Sequence, residues 1–120
     1  MTTTVQAIVV DCADAARSAA FWAAALGRTV DGDATEEFAS IGIDGQPGEL
    51  TWMFTKVPEP KSGKNRIHLD LCSSSPSADI DRLVALGATR VNDFDEDGIQ
   101  WTTLTDPEGN EFDLVTQEPN

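Results

Sequence analysis

The sequence predicts an α+β fold in which one βαβββ unit occurs twice, and three observations carry that expectation. A strand-to-helix pattern recurs: Val9-Val10-Asp11-Cys12 leads through a helical segment to Leu26-Gly27-Arg28-Thr29-Val30, and Asp70-Leu71-Cys72 leads to Leu86-Gly87-Ala88-Thr89. The offset is constant, with Cys12 and Cys72, Leu26 and Leu86, Gly27 and Gly87, and Thr29 and Thr89 each 60 residues apart in a chain of 120. A Pro-, Gly- and Ser-rich stretch, Pro58-Glu59-Pro60-Lys61-Ser62-Gly63-Lys64-Asn65, reads as a linker between the copies. Solenoids need three or more repeats, so two copies filling the chain point to a closed pseudo-symmetric domain with a ligand cavity between them. The expected organisation is one domain over 1–120, with modules at 5–57 and 66–116 and a linker at 58–65.

In the first module the β-branched, apolar run Val5 to Val10 reads as a buried strand. Asp14 is placed to cap an Ala-rich helix from Ala15 to Leu26, and Gly27 to stop it; Phe21, Ala25 and Trp22 form its buried face. Strands are expected at Arg28 to Val30, Phe38 to Ile43 and Glu49 to Val57, with turns at Asp31-Gly32 and Asp44-Gly45. The second module restarts at Arg66 to Cys72, whose strict alternation sets Arg66, His68 and Asp70 against Ile67, Leu69 and Leu71. Ser75 or Ser77 can cap a helix through Leu86, with Ile80, Leu83 and Val84 at helical spacing. Strands follow at Ala88 to Val91, Ile99 to Thr105 and Glu111 to Thr116, the last two joined by the turn Asp106-Pro107-Glu108-Gly109-Asn110.

Composition narrows the partners. A content of 40% apolar residues suffices for a single core at this length. A net charge of −13 argues against duplex nucleic acid and anionic membranes, whose recognition relies on Lys and Arg. Four of the eight basic residues, Lys56, Lys61, Lys64 and Arg66, fall at the seam between the modules. No apolar run approaches the roughly 20 residues that span a bilayer, and MTTTVQAIVVD lacks the basic and apolar regions of a secretion signal. The expectation is a soluble cytoplasmic protein whose two cysteines are thiols rather than a disulfide. Asp93-Phe94-Asp95-Glu96-Asp97-Gly98 lacks the spaced ligand ladder of a calcium loop and reads as a hairpin tip.

Three motifs in order resemble a known family. DPEGNEFDLV at 106–115, the D-x-x-R-S-x-x-F-W helix at 14–22 with its Leu-Gly stop, and KNRIHLDL at 64–71 are similar to the glyoxalase/bleomycin-resistance/dioxygenase superfamily, the vicinal oxygen chelate fold. The small glyoxalase-like domain proteins resemble the chain most, over about residues 5 to 116. The resemblance implies two βαβββ modules forming a cupped mixed sheet, paired as a homodimer with small-molecule sites in the cups. Metal-dependent members hold a divalent ion with residues of the first, fourth, fifth and eighth strands.

Carried over position by position, His68 matches the fifth-strand histidine, Asp113 the eighth-strand carboxylate and Glu49 the fourth-strand glutamate, while the first-strand histidine falls on Ala7. The chain has one histidine, so the two-His-one-carboxylate iron site of extradiol dioxygenases cannot be built from it. The expected state is metal-free, and the fallback is a hard site of His68, Glu49 and Asp113 suited to magnesium or manganese rather than zinc or iron. Arg66, Asp70, Trp52, Phe54 and Trp101 are the candidate ligand-binding residues, the aromatics as grips for flat or cationic molecules. A carboxylate beside His68, either Asp70 or Asp113, would suit it to proton transfer. The leading expectation is a metal-free small-molecule binding protein. The alternatives are a lyase, isomerase or hydrolase using His68 with Glu49 or Asp113, and a structural or regulatory dimer with a vestigial cup.

Overall fold

The computed structural model describes residues 2–45 and 48–117, and the chain divides into two units, Met1–Pro60 and Lys61–Asn120. In the first unit, β1 (Ala7–Cys12) leads into helix α1 (Ala15–Leu26), followed by β2 (Phe38–Ile41) and β3 (Thr51–Lys56). The Asp14 carboxylate accepts a hydrogen bond from the Arg17 N–H at 3.2 Å and so caps α1 as its sequence suggests. Gly27 ends the helix at φ 66°, a left-handed conformation that a side chain would disfavour.

The strands of this unit are ordered β1-β3-β2, with β1 and β3 parallel and β2 and β3 antiparallel. Register pairs Ile8 with Trp52 and Val10 with Phe54, placing these four on one face with Ala39 and Ile41. Trp52, Phe54, Ala39 and Ile41 are buried, as are Phe21, Trp22 and Ala25 of α1. Trp22 stacks on Trp52 with ring centroids 5.1 Å apart.

Arg28 to Val30 is not a strand, which corrects the expected βαβββ order here to βαββ. Local bonds organise this stretch instead. The Asp31 carboxylate accepts from the Ser40 hydroxyl at 2.7 Å and from the N–H groups of Gly42 and Ile43 at 3.2 and 2.9 Å. The Arg28 guanidinium donates to the Leu50 carbonyl at 2.6 Å. The polar side chains thereby take up backbone groups that a fourth strand would have paired.

The second unit contains β4 (Leu69–Ser73), α2 (Pro76–Leu86), β5 (Thr89–Glu96), β6 (Ile99–Thr105) and β7 (Glu111–Thr116), ordered β4-β7-β6-β5. Ser75 precedes α2 but makes no side-chain cap; Ser73 instead donates to Asp79 of the first turn at 2.6 Å. Val84 is 44% exposed, so the buried stripe of α2 is Ile80 and Leu83. β5 runs to Glu96, well past the expected Val91, because Asp97 and Gly98 at φ 53° and 79° turn the chain tightly into β6. The Asp106 carboxylate accepts from the N–H groups of Glu108 and Asn110, both at 2.9 Å, and thereby builds the turn into β7. β4 starts at Leu69, three residues after the expected Arg66, and Ile67 is 84% exposed instead of sharing a buried side with Leu69 and Leu71.

Register also corrects the repeat. β3 and β7 begin 60 residues apart, at Thr51 and Glu111, yet Cys12 pairs with Lys56 whereas Ser73 pairs with Thr116. Ser73 is therefore the counterpart of Cys12, and Cys72 stands one place out of step. A one-residue step turns a strand residue to the other face, and accordingly Cys12 is buried while Cys72 is exposed, both as thiols. No helix among the described residues is long and apolar enough to cross a membrane.

Candidate functional site

The turn at Asp106–Asn110 sets β6 against β7 so that Thr105 faces Glu111 and Thr103 faces Asp113. On the other side of β7, Asp70 of β4 faces Asp113. Residues paired this way share a face, so Asp70, Asp113 and Thr103 stand side by side. Trp101 faces Val115 and Phe94 faces Trp101, which extends the same face. Its alternate residues Phe112, Leu114 and Leu104 turn the other way and are buried, as are Ile80 and Leu83 of α2.

His68, in the residue before β4, completes the cluster. Its Nε2 lies 3.3 Å from Asp70 Oδ1 and 3.3 Å from Asp113 Oδ2. Both distances exceed the roughly 2.7–2.9 Å of a well-formed charge-assisted bond, so the nitrogen stands near two carboxylates and is committed to neither. The Thr103 hydroxyl donates to Asp113 Oδ1 at 2.6 Å, leaving Oδ2 for His68. Asp113 is largely covered, at 16% side-chain exposure, while Asp70 and His68 remain open at 59% and 44%. The donor atoms of the three residues lie within 4.8 Å of one another. One imidazole nitrogen with two carboxylates is an oxygen-rich set that fits a hard divalent ion better than zinc or iron.

Beside the cluster, the rings of Phe94 and Trp101 stack at 5.0 Å and 15°. Before it, Glu111 accepts from Lys61 Nζ at 3.2 Å and from the Asn65 N–H at 3.0 Å, and the Asn65 side-chain amide donates to the Glu111 carbonyl at 3.2 Å. Desolvation works to raise the Glu111 pKa, but the N–H groups of Asn65 and of Glu111 itself, together with Lys61, outweigh it and hold the carboxyl below its ordinary range.

The structure thus brings together His68, Asp70 and Asp113, with Trp101 on the neighbouring part of the face. Of the other candidates, Trp52, Phe54 and Glu49 belong to the first unit and Arg66 to the loop before β4. Trp52 and Phe54, 5% and 0% exposed, are core residues of the first unit packed on the α1 side, which corrects their reading as ligand contacts. Glu49 belongs to the first unit, where it pairs with Arg28 at 3.5 Å, and it is Asp70 that joins His68 and Asp113. Arg66 is exposed in the loop before β4, outside the alternation that had grouped it with His68 and Asp70. Thr103 and Glu111 were missed as site residues. Counting back from the Asp106–Asn110 turn would have found Thr103, because that turn fixes the register of β6 on β7.

Solved structures of the same fold are numerous. A fosfomycin resistance protein, FosX, from Listeria monocytogenes matches at a TM-score of 0.74 with 14% identity over 98% of this chain and 95% of that one. A glyoxalase-related enzyme from Fulvimarina pelagi matches at 0.72 with 16% identity, covering 96% and 88%. A glyoxalase/bleomycin resistance protein/dioxygenase family enzyme from Burkholderia phytofirmans PsJN matches at 0.71 with 18% identity, covering 95% and 98%. At these identities the likeness is one of fold. No curated protein sequence matches the chain. A family model described as Glyoxalase-like domain matches residues 7–115, nearly the whole of what the two units comprise, and the chain belongs to that family.

Proposed function

We propose that this protein binds a small organic molecule on the open face of the second unit's sheet, over His68, Asp70 and Asp113. The observation that carries the reading is the placement of the only imidazole in the chain 3.3 Å from two carboxylates. Facing two groups that only accept, Nε2 is the ring position suited to carry the proton, which leaves Nδ1 as an acceptor for a hydroxyl or amine. The stacked pair Phe94 and Trp101 offers an apolar surface beside these polar groups, the combination that small-molecule sites use for grip and orientation. The reading needs no metal. The test is calorimetry on chelator-treated protein with a panel of hydroxylated, amine-bearing and phosphonate compounds, fosfomycin among them. Binding by at least one member, weakened tenfold or more in both His68→Ala and Asp113→Ala, is expected; binding untouched by either substitution would refute the site.

A second reading is favoured by one observation, the convergence of three donor atoms within 4.8 Å. His68, Asp70 and Asp113 would hold a hard ion such as magnesium or manganese, which when bound would polarise an oxygen of the molecule above it. With such an ion the chemistry is that of a lyase, isomerase or hydrolase, with His68 and the two aspartates holding and orienting. Manganese titration followed by electron paramagnetic resonance separates the readings: uptake of one ion, lost in Asp113→Ala, favours the second.

We further propose that the chain forms a homodimer in the cytoplasm. The exposed edge strand β5 supports the pairing, and the two thiols support a reducing compartment. Sedimentation equilibrium giving the mass of one chain at micromolar concentration would contradict the dimer.

A further inference from the structure

We infer that Glu111 is a positioning residue that holds the loop carrying His68 over the candidate site; this rests on the reading of His68, Asp70 and Asp113 as that site. Between Lys61 and His68 the chain forms neither helix nor strand, so its conformation depends on what ties it to the sheet. Glu111 provides the tie at two points. Its carboxylate accepts from Lys61 Nζ and from the Asn65 N–H, and its backbone carbonyl accepts from the Asn65 side chain. Glu111 and Lys61 are both only 23% exposed at their side chains, so the pair is shielded more than an ordinary surface contact.

His68 lies three residues beyond Asn65, a span of at most roughly 10 Å. Asp113 lies two residues beyond Glu111 on the same face of β7, roughly 7 Å away. The next residue, Leu69, is already fixed by its pairing with Phe112. His68 is therefore held between two anchors, the Asn65–Glu111 bonds before it and the Leu69–Phe112 pairing after it. Without the first anchor the imidazole would hang from one end of β4, and its Nε2 would have only two long 3.3 Å contacts to keep it between the aspartates.

The single histidine makes this measurable in the full-length protein without any ligand. In isotope-labelled protein the His68 imidazole is expected to show a nuclear Overhauser contact to the side chain of Asp113. Glu111→Ala should remove it and move the imidazole shifts toward those of a solvated histidine, while the core signals of Phe112 and Leu114 stay in place. Glu111→Gln retains an acceptor for the Asn65 N–H and should restore the contact. A loop-side double variant, Lys61→Met with Asn65→Pro, removes the Lys61, Asn65 N–H and Asn65 amide donors while leaving β7 intact, and should also weaken the contact; it decides the matter if Glu111→Ala fails to fold. Unchanged His68 contacts in Glu111→Ala or in the loop-side variant would overturn the inference, as would loss of the contact in Glu111→Gln. These spectra report on the tie alone, whereas failure of the compound panel to bind the unaltered protein would count against the site.

Discussion

The two units share the strand–helix–strand–strand path, apart from the extra strand β5 of the second, and set different chemistry on equivalent faces. Counting by register, Ala7, Val9, Met53 and Ser40 of the first unit occupy the places that His68, Asp70, Asp113 and Thr103 occupy in the second. Phe38 stands where Trp101 stands. On the helix-facing side the pattern stays apolar in both, with Val10, Trp52 and Phe54 matching Leu71, Phe112 and Leu114. Alternation along a strand lets one face carry the fold while the other changes freely. A polar cluster can thus arise in one copy of a duplicated unit at little cost to its core.

The largest expected effect tests whether the two cores are equivalent. Phe54→Ala and Phe112→Ala each remove a fully buried ring and should each cost about 3–5 kcal/mol, read from urea unfolding. A loss confined to one of them would break the comparison. A smaller effect concerns the helices. Ser18 occupies in α1 the place of Asp79 in α2, but its hydroxyl is buried with no hydrogen-bond partner among the described residues, whereas Asp79 receives the Ser73 hydroxyl. Ser18→Ala should therefore stabilise the protein by about 1 kcal/mol, through relief of an unpaired polar group and better helix propensity. Destabilisation would mean that the hydroxyl has a role its surroundings do not reveal.

Acid sharpens the contrast between the two loop anchors. Asp31 in the first unit is opposed by desolvation, yet the N–H of Ile43, the Ser40 hydroxyl, the Gly42 N–H and the Arg28 charge hold it below its ordinary range. Glu111 in the second is held low in the same sense. A carboxyl whose folded pKa is depressed stabilises above its unfolded pKa, and that stability is lost as pH falls through the folded value. Circular dichroism against pH should show Asp31→Asn and Glu111→Gln starting less stable at neutral pH than the parent and losing less between pH 5 and 2. A parent-like acid profile in either variant would show that its carboxyl is not an anchor.

Much of this architecture was legible in the sequence wherever a short-range signal decided it. α1, β6 and β7 fall where capping, Gly stops, alternation and the Asp106–Asn110 turn put them, and the order of motifs pointed to the family. The first unit's missing strand was not legible, because Arg28-Thr29-Val30 has good strand propensity and loses out only to the side-chain bonds of Arg28 and Asp31. The Cys12–Cys72 match was misleading for a similar reason: identical residues suggested register, and pairing with β3 and β7 shows a step of one. Of the site, His68 and Asp113 could be placed by motif and Asp70 by alternation. Trp52 and Phe54 could not be assigned to a face, since each strand offers two and composition does not choose between them. Thr103 and Glu111 depend on contacts between distant segments.

The central claim is that function resides on the His68–Asp70–Asp113 face of the second unit and not on the equivalent face of the first, where Ala7, Val9 and Met53 stand in those places. Amide shift mapping of labelled protein against a few hundred chemically varied small fragments tests it most directly. The result expected is that binders converge on His68, Asp70, Trp101, Thr103 and Asp113 and that Asp113→Ala removes their effect. Binders that gather instead on Val9, Phe38 and Met53, unaffected by that substitution, would contradict it.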